Sequence, residues 1–225
     1  MAAIHTDQFV ADAVALVLEE ARNAIARRGR FILSLCGGNT PKPVYAALAE
    51  AGADWEKWHI TFGDERCVPP DHEQSNYRMV NTAWFAKVPI PEVNIFRMKG
   101  ELPPEEGALD YEKRLVALTE GNLPPVHDLT FLGMGDDGHT ASLFPGTPAL
   151  EVRDRWCVPN HVEKLDSWRL TLTFPVLDAS RRVVFLVNGA SKRPMYETVQ
   201  ADRSAYPSGC IEPVDGKLDW LLGFV

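Results

Sequence analysis

Long hydrophobic runs are missing from this sequence. No apolar stretch reaches the ~18 residues a spanning helix needs, so a helical membrane protein is not expected. Cysteine is scarce. The four present, Cys36, Cys67, Cys157 and Cys210, show neither a CxxC pair nor Cys/His zinc spacing, and four in 225 residues do not make a disulfide scaffold. Positive charge is short as well: 23 Lys and Arg against 31 Asp and Glu leave a net charge of −8. That balance argues against duplex binding, which needs a basic face. A few local cations can still define a site for a small anion, because charges more than ~8 Å away are screened. With 16 Gly and 17 Pro the chain is not low-complexity, and it shows no internal repeat or linker. The acidic residues Asp7, Asp12, Glu19 and Glu20 fit neither a secretory nor a transit peptide, and no N-glycosylation sequon occurs. The expectation is a cytoplasmic protein with no membrane or nucleic-acid partner.

What is present alternates between two periodicities. Phe9, Ala13, Leu16, Val17, Ala21, Ala24 and Ile25 recur at helical spacing, with Thr6 or Asp7 as the expected N-cap and Gly29 as the stop. Phe31–Cys36, 59–62, Val93–Met98 and Leu129–Leu132 read as strands, the first and last buried on both faces. Helices are expected after Pro41, after a Ser75 or Asn76 cap, and over Glu105–Thr119 with Leu109, Leu115 and Leu118 inward. The C-terminal third adds strands near 156–159, 169–174 and 183–187, a helix over 191–199, and a last element at 218–224. This alternation predicts an α/β fold in one domain over residues 1–225, with a mainly parallel sheet flanked by helices. Ligands of such sheets gather beyond the carboxyl ends of the strands, and three unusual loops (37–40, 63–66 and 133–139) all follow strands.

Gly37-Gly38-Asn39-Thr40-Pro41 reads as a strand end followed by a Thr cap and Pro at N1, a geometry that exposes backbone N–H groups to a phosphate. A plain strand–turn–helix junction is the competing reading, and GxxxxGKS/T spacing is absent. Asp64-Glu65-Arg66 reads, taken alone, as ion-paired surface, although a fixed Arg could aim its fork at a phosphate or carboxylate. Gly133-Met134-Gly135-Asp136-Asp137-Gly138-His139 matches GxGxxG after a strand. Asp136 and Asp137 would place anions beside a pyrophosphate, so a dinucleotide site is rejected. The glycines are better suited to close backbone approach while His139 projects into a site as a general base, its tautomer fixed by a nearby carboxylate. The other five histidines read as surface or core. Metal ligation by Asp136, Asp137 and His139 is disfavoured, since contiguous residues rarely supply three well-placed ligands; Ser142 lacks a GxSxG elbow. Arg169 and Lys192 lie at element ends where cations can reach a shared anion, though solvated surface is the default for either alone.

The segments GGNTP, GDERCVPPDHEQSNYR and FLGMGDDGHTASLFPG, in this order and spacing, resemble the 6-phosphogluconolactonase family of the oxidative pentose phosphate pathway. The related glucosamine-6-phosphate deaminase/isomerase branch shares the GxDGH core but follows it with an Ala-Phe-Asn-Glu-Pro run, where this chain reads Thr140-Ala141-Ser142-Leu143-Phe144-Pro145. The resemblance implies a Rossmann-like lactonase/deaminase fold and hydrolysis of 6-phospho-D-glucono-1,5-lactone to 6-phosphogluconate. It implies no required metal or organic cofactor, a small sugar-phosphate substrate, and a monomer or weak homodimer. Motif by motif, it makes His139 the base that activates water, with Asp64 assisting. Gly38, Asn39, Thr40, Arg66, Arg169 and Lys192 would hold the phosphate or polarise the forming oxyanion. An isomerase-deaminase of the same fold and a non-catalytic sugar-phosphate sensor are the alternatives. The tail Tyr206-Pro207-Ser208-Gly209-Cys210-Ile211-Glu212-Pro213 departs from the family's usual Pro-Ala-Ser run, and no site residue is assigned to it.

Overall fold

The computed structural model describes residues 1–224. The long amphipathic segment forms α1 (Phe9–Arg28), which buries Phe9, Ala13, Val17, Ala21 and Ala24 along one stripe and stops at Gly29, whose N–H reaches the Ile25 carbonyl at 2.8 Å. Its start differs from expectation. Gln8 occupies the N-cap, and the Thr6 hydroxyl closes the preceding turn by accepting the Gln8 N–H at 2.8 Å and donating to Asp12 at 2.5 Å.

Six parallel strands form the central sheet: β1 (Ala2–His5), β2 (Phe31–Leu35), β3 (Trp58–Phe62), β5 (Leu129–Leu132), β8 (Arg182–Asn188) and β9 (Lys217–Gly223), in the order β1-β9-β8-β5-β2-β3. All of β2 and β5 is buried, as expected of strands covered on both faces. The connecting helices are α2 (Lys42–Leu48), α3 (Asn76–Ala83), α4 (Pro104–Leu118), α5 (Phe174–Asp178) and α6 (Arg193–Ala201). Chain order reverses between β2 and β5: one side continues to β3, the other to β8 and β9. The loops leaving these two strands therefore diverge and open a crevice at their carboxyl ends.

A second, antiparallel sheet sits beside that crevice, built from β4 (Asp64–Arg66), β7 (Ser167–Leu172) and β6 (Cys157–Val162). It is tied to the main sheet by the Leu172 N–H on the Gly63 carbonyl at 2.8 Å. The sequence reading had Asp64–Arg66 as a loop; pairing with β7 makes it a strand. Three further expectations are corrected. Val93–Met98 makes only an isolated bridge, Ile95 to Ile60, because Glu92–Asn94 winds into a 3-10 turn between the prolines and the bridge. Leu109 faces solvent, while Ala108 and Tyr111 share the buried stripe of α4 with Leu115 and Leu118. Phe174 opens α5 instead of ending a strand. No helix among the described residues is long and apolar enough to cross a membrane.

Candidate active site

A cleft of about 300 Å3 opens at the carboxyl ends of β2, β5 and β8, and all eight residues singled out from the sequence line it: Gly38, Asn39, Thr40, Asp64, Arg66, His139, Arg169 and Lys192. The loop after β2 supplies the first three, the small sheet supplies Asp64, Arg66 and Arg169, the loop after β5 supplies His139, and the 3-10 turn after β8 supplies Lys192.

His139 is built by its own loop. Gly135 passes so close to the imidazole that any side chain there would collide with the ring. Gly138 takes φ +74°, which folds the chain back so that Asp137 meets the His139 ring. Asp137 Oδ1 lies 2.5 Å from Nδ1 and also accepts the His139 backbone N–H at 3.2 Å. Nδ1 therefore donates to the carboxylate, leaving the Nε2 lone pair free. Phe144 stacks on the imidazole with ring centroids 3.9 Å apart. The second oxygen of Asp137 pairs with the Lys164 ammonium. Burial pushes the His139 pKa down to about 4, helped by Lys192 and Arg169 and opposed by Asp64 and Asp136, so the ring is neutral at physiological pH.

Asp64 and Glu65 are not surface, as the isolated triplet had suggested; they are 7% and 2% exposed. Asp64 accepts from the Ser142 hydroxyl at 2.7 Å and the Asn76 amide at 3.2 Å, and it makes no hydrogen bond to His139. Glu65 receives the backbone N–H groups of Arg66, Asn76 and Tyr77 at 2.7–2.8 Å and the Ser75 hydroxyl at 3.1 Å. It thereby fixes the N-terminus of α3, where Ser75 is the cap as expected. Neither carboxylate holds the Arg66 fork; Arg66 Nη1 donates to the Gln74 carbonyl at 2.5 Å. Arg66 and Arg169 each keep a buried Nε with no acceptor among the described residues. Lys192 donates to the Met134 carbonyl at 3.1 Å and pairs with Asp136 at 2.6 Å, tying the turn after β8 to the loop after β5. In the loop after β2, Pro41 and not Thr40 occupies the cap of α2, and Gly38 turns the chain with φ +94°.

The dinucleotide reading fails structurally too, since the Gly133–His139 loop leads to turns and a 3-10 segment, not to the helix a pyrophosphate would need. Ser142 is fully buried against Asp64. Cys36 lines the cleft as a thiol, its pKa raised to about 12 by burial. Among the described residues no three His, Cys, Asp or Glu side chains gather as a ligand group. Sequence reasoning missed Asp137 as the partner of His139, and it missed Asn76 and Phe144 as cleft residues. The Asp-Gly-His spacing was the available signal for the first, because a glycine at the middle position permits the fold-back.

The family model for glucosamine-6-phosphate isomerases and 6-phosphogluconolactonase matches residues 5–220. A 6-phosphogluconolactonase of Synechocystis is 46% identical over 216 residues, covering 93% of this chain and 89% of its own. The Homo sapiens 6-phosphogluconolactonase is 39% identical over 216 residues, covering 92% and 84%. Among solved structures, a 6-phosphogluconolactonase of Thermotoga maritima superposes with a TM-score of 0.88 at 30% identity, over 98% of this chain and 99% of that one.

Proposed function

Because the chain belongs to the glucosamine-6-phosphate isomerase/6-phosphogluconolactonase family and hydrolyses 6-phosphogluconolactone in the pentose phosphate pathway, we propose that His139 is the general base of that hydrolysis and Asp137 its orienting partner. The observation that carries this reading is the 2.5 Å contact between Asp137 and His139 Nδ1 in a cleft that also holds Arg66, Arg169 and Lys192.

The chemistry follows from the charges. Nε2 takes a proton from water as the oxygen attacks the lactone carbonyl carbon, and Asp137 stabilises the imidazolium that forms. The carbonyl oxygen becomes an oxyanion, met by the cations that line the cleft. As the tetrahedral species collapses, the C–O ring bond breaks and the imidazolium returns its proton to the departing ring oxygen. The product acid then ionises. Arg66 and Arg169, with the backbone of Gly38, Asn39 and Thr40, hold the phosphate at the far end of the sugar and orient the carbonyl. Lys192, held on the His139 loop by the Met134 carbonyl and Asp136, is placed to meet the oxyanion; Asp64 keeps the field at the base negative and anchors Ser142 and Asn76. All groups come from one chain, which supports activity as a monomer or weak homodimer on a small sugar phosphate. Four cysteines without a disulfide among the described residues support a cytoplasmic location.

The test is lactone hydrolysis over an enzyme-free blank, because the substrate also hydrolyses unaided. His139→Ala and Asp137→Asn are expected to lose about 10²–10⁴-fold in kcat while still binding 6-phosphogluconate. A fully active His139→Ala variant would overturn the assignment.

A further inference from the structure

The C-terminal turn that the sequence left without a role packs directly behind the catalytic loop. A methyl group on Gly138 would lie 2.5 Å from Tyr206 Cδ1 and 3.0 Å from its Cβ, so the aromatic ring closes off the side of Gly138 that a side chain would otherwise occupy. Two residues on, the Ser208 N–H donates to the Gly138 carbonyl at 3.0 Å, from a position that is fully buried. That carbonyl and the His139 N–H belong to one rigid peptide plane. The plane is gripped at both ends: Ser208 holds its oxygen, and Asp137 Oδ1 accepts its N–H at 3.2 Å. The same Asp137 oxygen takes Nδ1–H at 2.5 Å.

The turn itself is braced. The Arg203 guanidinium donates to the carbonyls of Gly209 and Ile211 at 3.1 and 3.0 Å, and the Cys210 N–H returns to the Tyr206 carbonyl at 3.1 Å. Gly209 crosses the Arg203 backbone too closely for any side chain. The Tyr206 hydroxyl makes no hydrogen bond among the described residues, so the ring acts by its faces and not by its polar tip.

We infer that Tyr206 and Ser208 are positioning residues for the lactonase reaction: they hold the Gly138–His139 peptide plane at the angle that keeps Asp137 on His139 Nδ1. The inference rests on the proposed roles of His139 and Asp137. Catalytic geometry tolerates little slack, and a displacement near 1 Å can cost about a hundredfold in rate. Neither Tyr206 nor Ser208 lines the cleft, so loosening this turn acts on the chemical step.

The experiment compares Tyr206→Ala, Tyr206→Phe and Asp137→Asn with wild type by kcat, KM, thermal unfolding and the downfield proton resonance of a hydrogen-bonded Nδ1–H. Tyr206→Ala is expected to lower kcat about 10- to 100-fold with KM within about twofold, and to broaden or abolish the resonance. Tyr206→Phe is expected to restore both. A folded Tyr206→Ala protein with wild-type kcat and resonance overturns the inference. So does a loss of rate that merely follows the unfolded fraction while the resonance persists. If the alanine variant does not fold, Tyr206→Leu, which keeps most of the volume but not the flat ring face, is judged by the same outcomes. A normal kcat in Asp137→Asn sinks the underlying reading; a damaged Asp137→Asn beside a normal Tyr206→Ala sinks this inference alone.

Discussion

Arg66 on β4 is the register partner of Arg169 on β7, and each of these facing guanidinium groups keeps a buried Nε without an acceptor. Neither forms an ion pair with a carboxylate among the described residues. Burial, and secondarily Arg66, pulls the Arg169 pKa below its ordinary value. Two like charges set opposite each other in a strand pair are destabilising on their own. On the proposed function, the substrate phosphate bridges them.

Replacing either arginine by methionine is therefore expected to raise KM for the lactone about 10- to 100-fold, with a smaller change in kcat, the effect of losing a charge-assisted hydrogen bond. Inorganic phosphate should inhibit wild type competitively and the variants more weakly. Lysine should rescue poorly, because it cannot reproduce the planar fork. An unchanged KM in both methionine variants would remove these residues from the phosphate site.

The pH dependence of kcat/KM carries a clear sign. Burial holds the His139 pKa at about 4, well below the 6.5 of a free imidazole, so the basic form is present throughout the neutral range. The His139 limb of kcat/KM, which reports the free enzyme, is expected to stay flat from neutrality down to roughly pH 5 and to fall about tenfold per unit below about 4. A midpoint at 6.5 would mean that the ring is solvated in the working enzyme.

Glu65 joins four donors from β4 and α3 on one buried carboxylate. Glu65→Ala leaves three backbone N–H groups and the Ser75 hydroxyl without this acceptor, and should destabilise the fold by about 2–4 kcal/mol in urea titration. A change within about 0.5 kcal/mol would show that water replaces the carboxylate.

The sequence carried the parallel sheet clearly, because strands such as Leu129–Leu132 are short, mostly apolar and separated by helical periodicity. It also carried the loop members of the cleft, Gly38, Asn39, Thr40 and His139, since loops after parallel strands converge at a reversal of strand order, whereas Arg66 and Arg169 were placed there only by the family resemblance. Two strands of the small sheet, β6 and β7, were also legible, but its third, β4, was invisible for a physical reason. Three charged residues, Asp64-Glu65-Arg66, have no alternation to detect and become a strand only because β7, more than a hundred residues away, offers them a partner. Asp137 escaped for a local reason: its reach to His139 depends on the left-handed turn at Gly138, which composition permits but does not dictate. Leu109 shows the same limit, as helical spacing fits more than one stripe and tertiary packing selected Ala108 and Tyr111.

The reversal of strand order between β2 and β5 also divides the chemistry between the halves of the chain. Everything that precedes β5 brings the glycine loop, Asp64 and Arg66; everything from β5 onward brings His139, Arg169 and Lys192. On the proposed roles neither half owns a base together with a complete anion site, and the arginine pair exists only when β4 from the first half docks on β7 from the second. Turnover is thus a property of the seam. A nascent or nicked chain stays inert toward sugar phosphates until both halves have closed on each other, and the arrival of activity marks that closure.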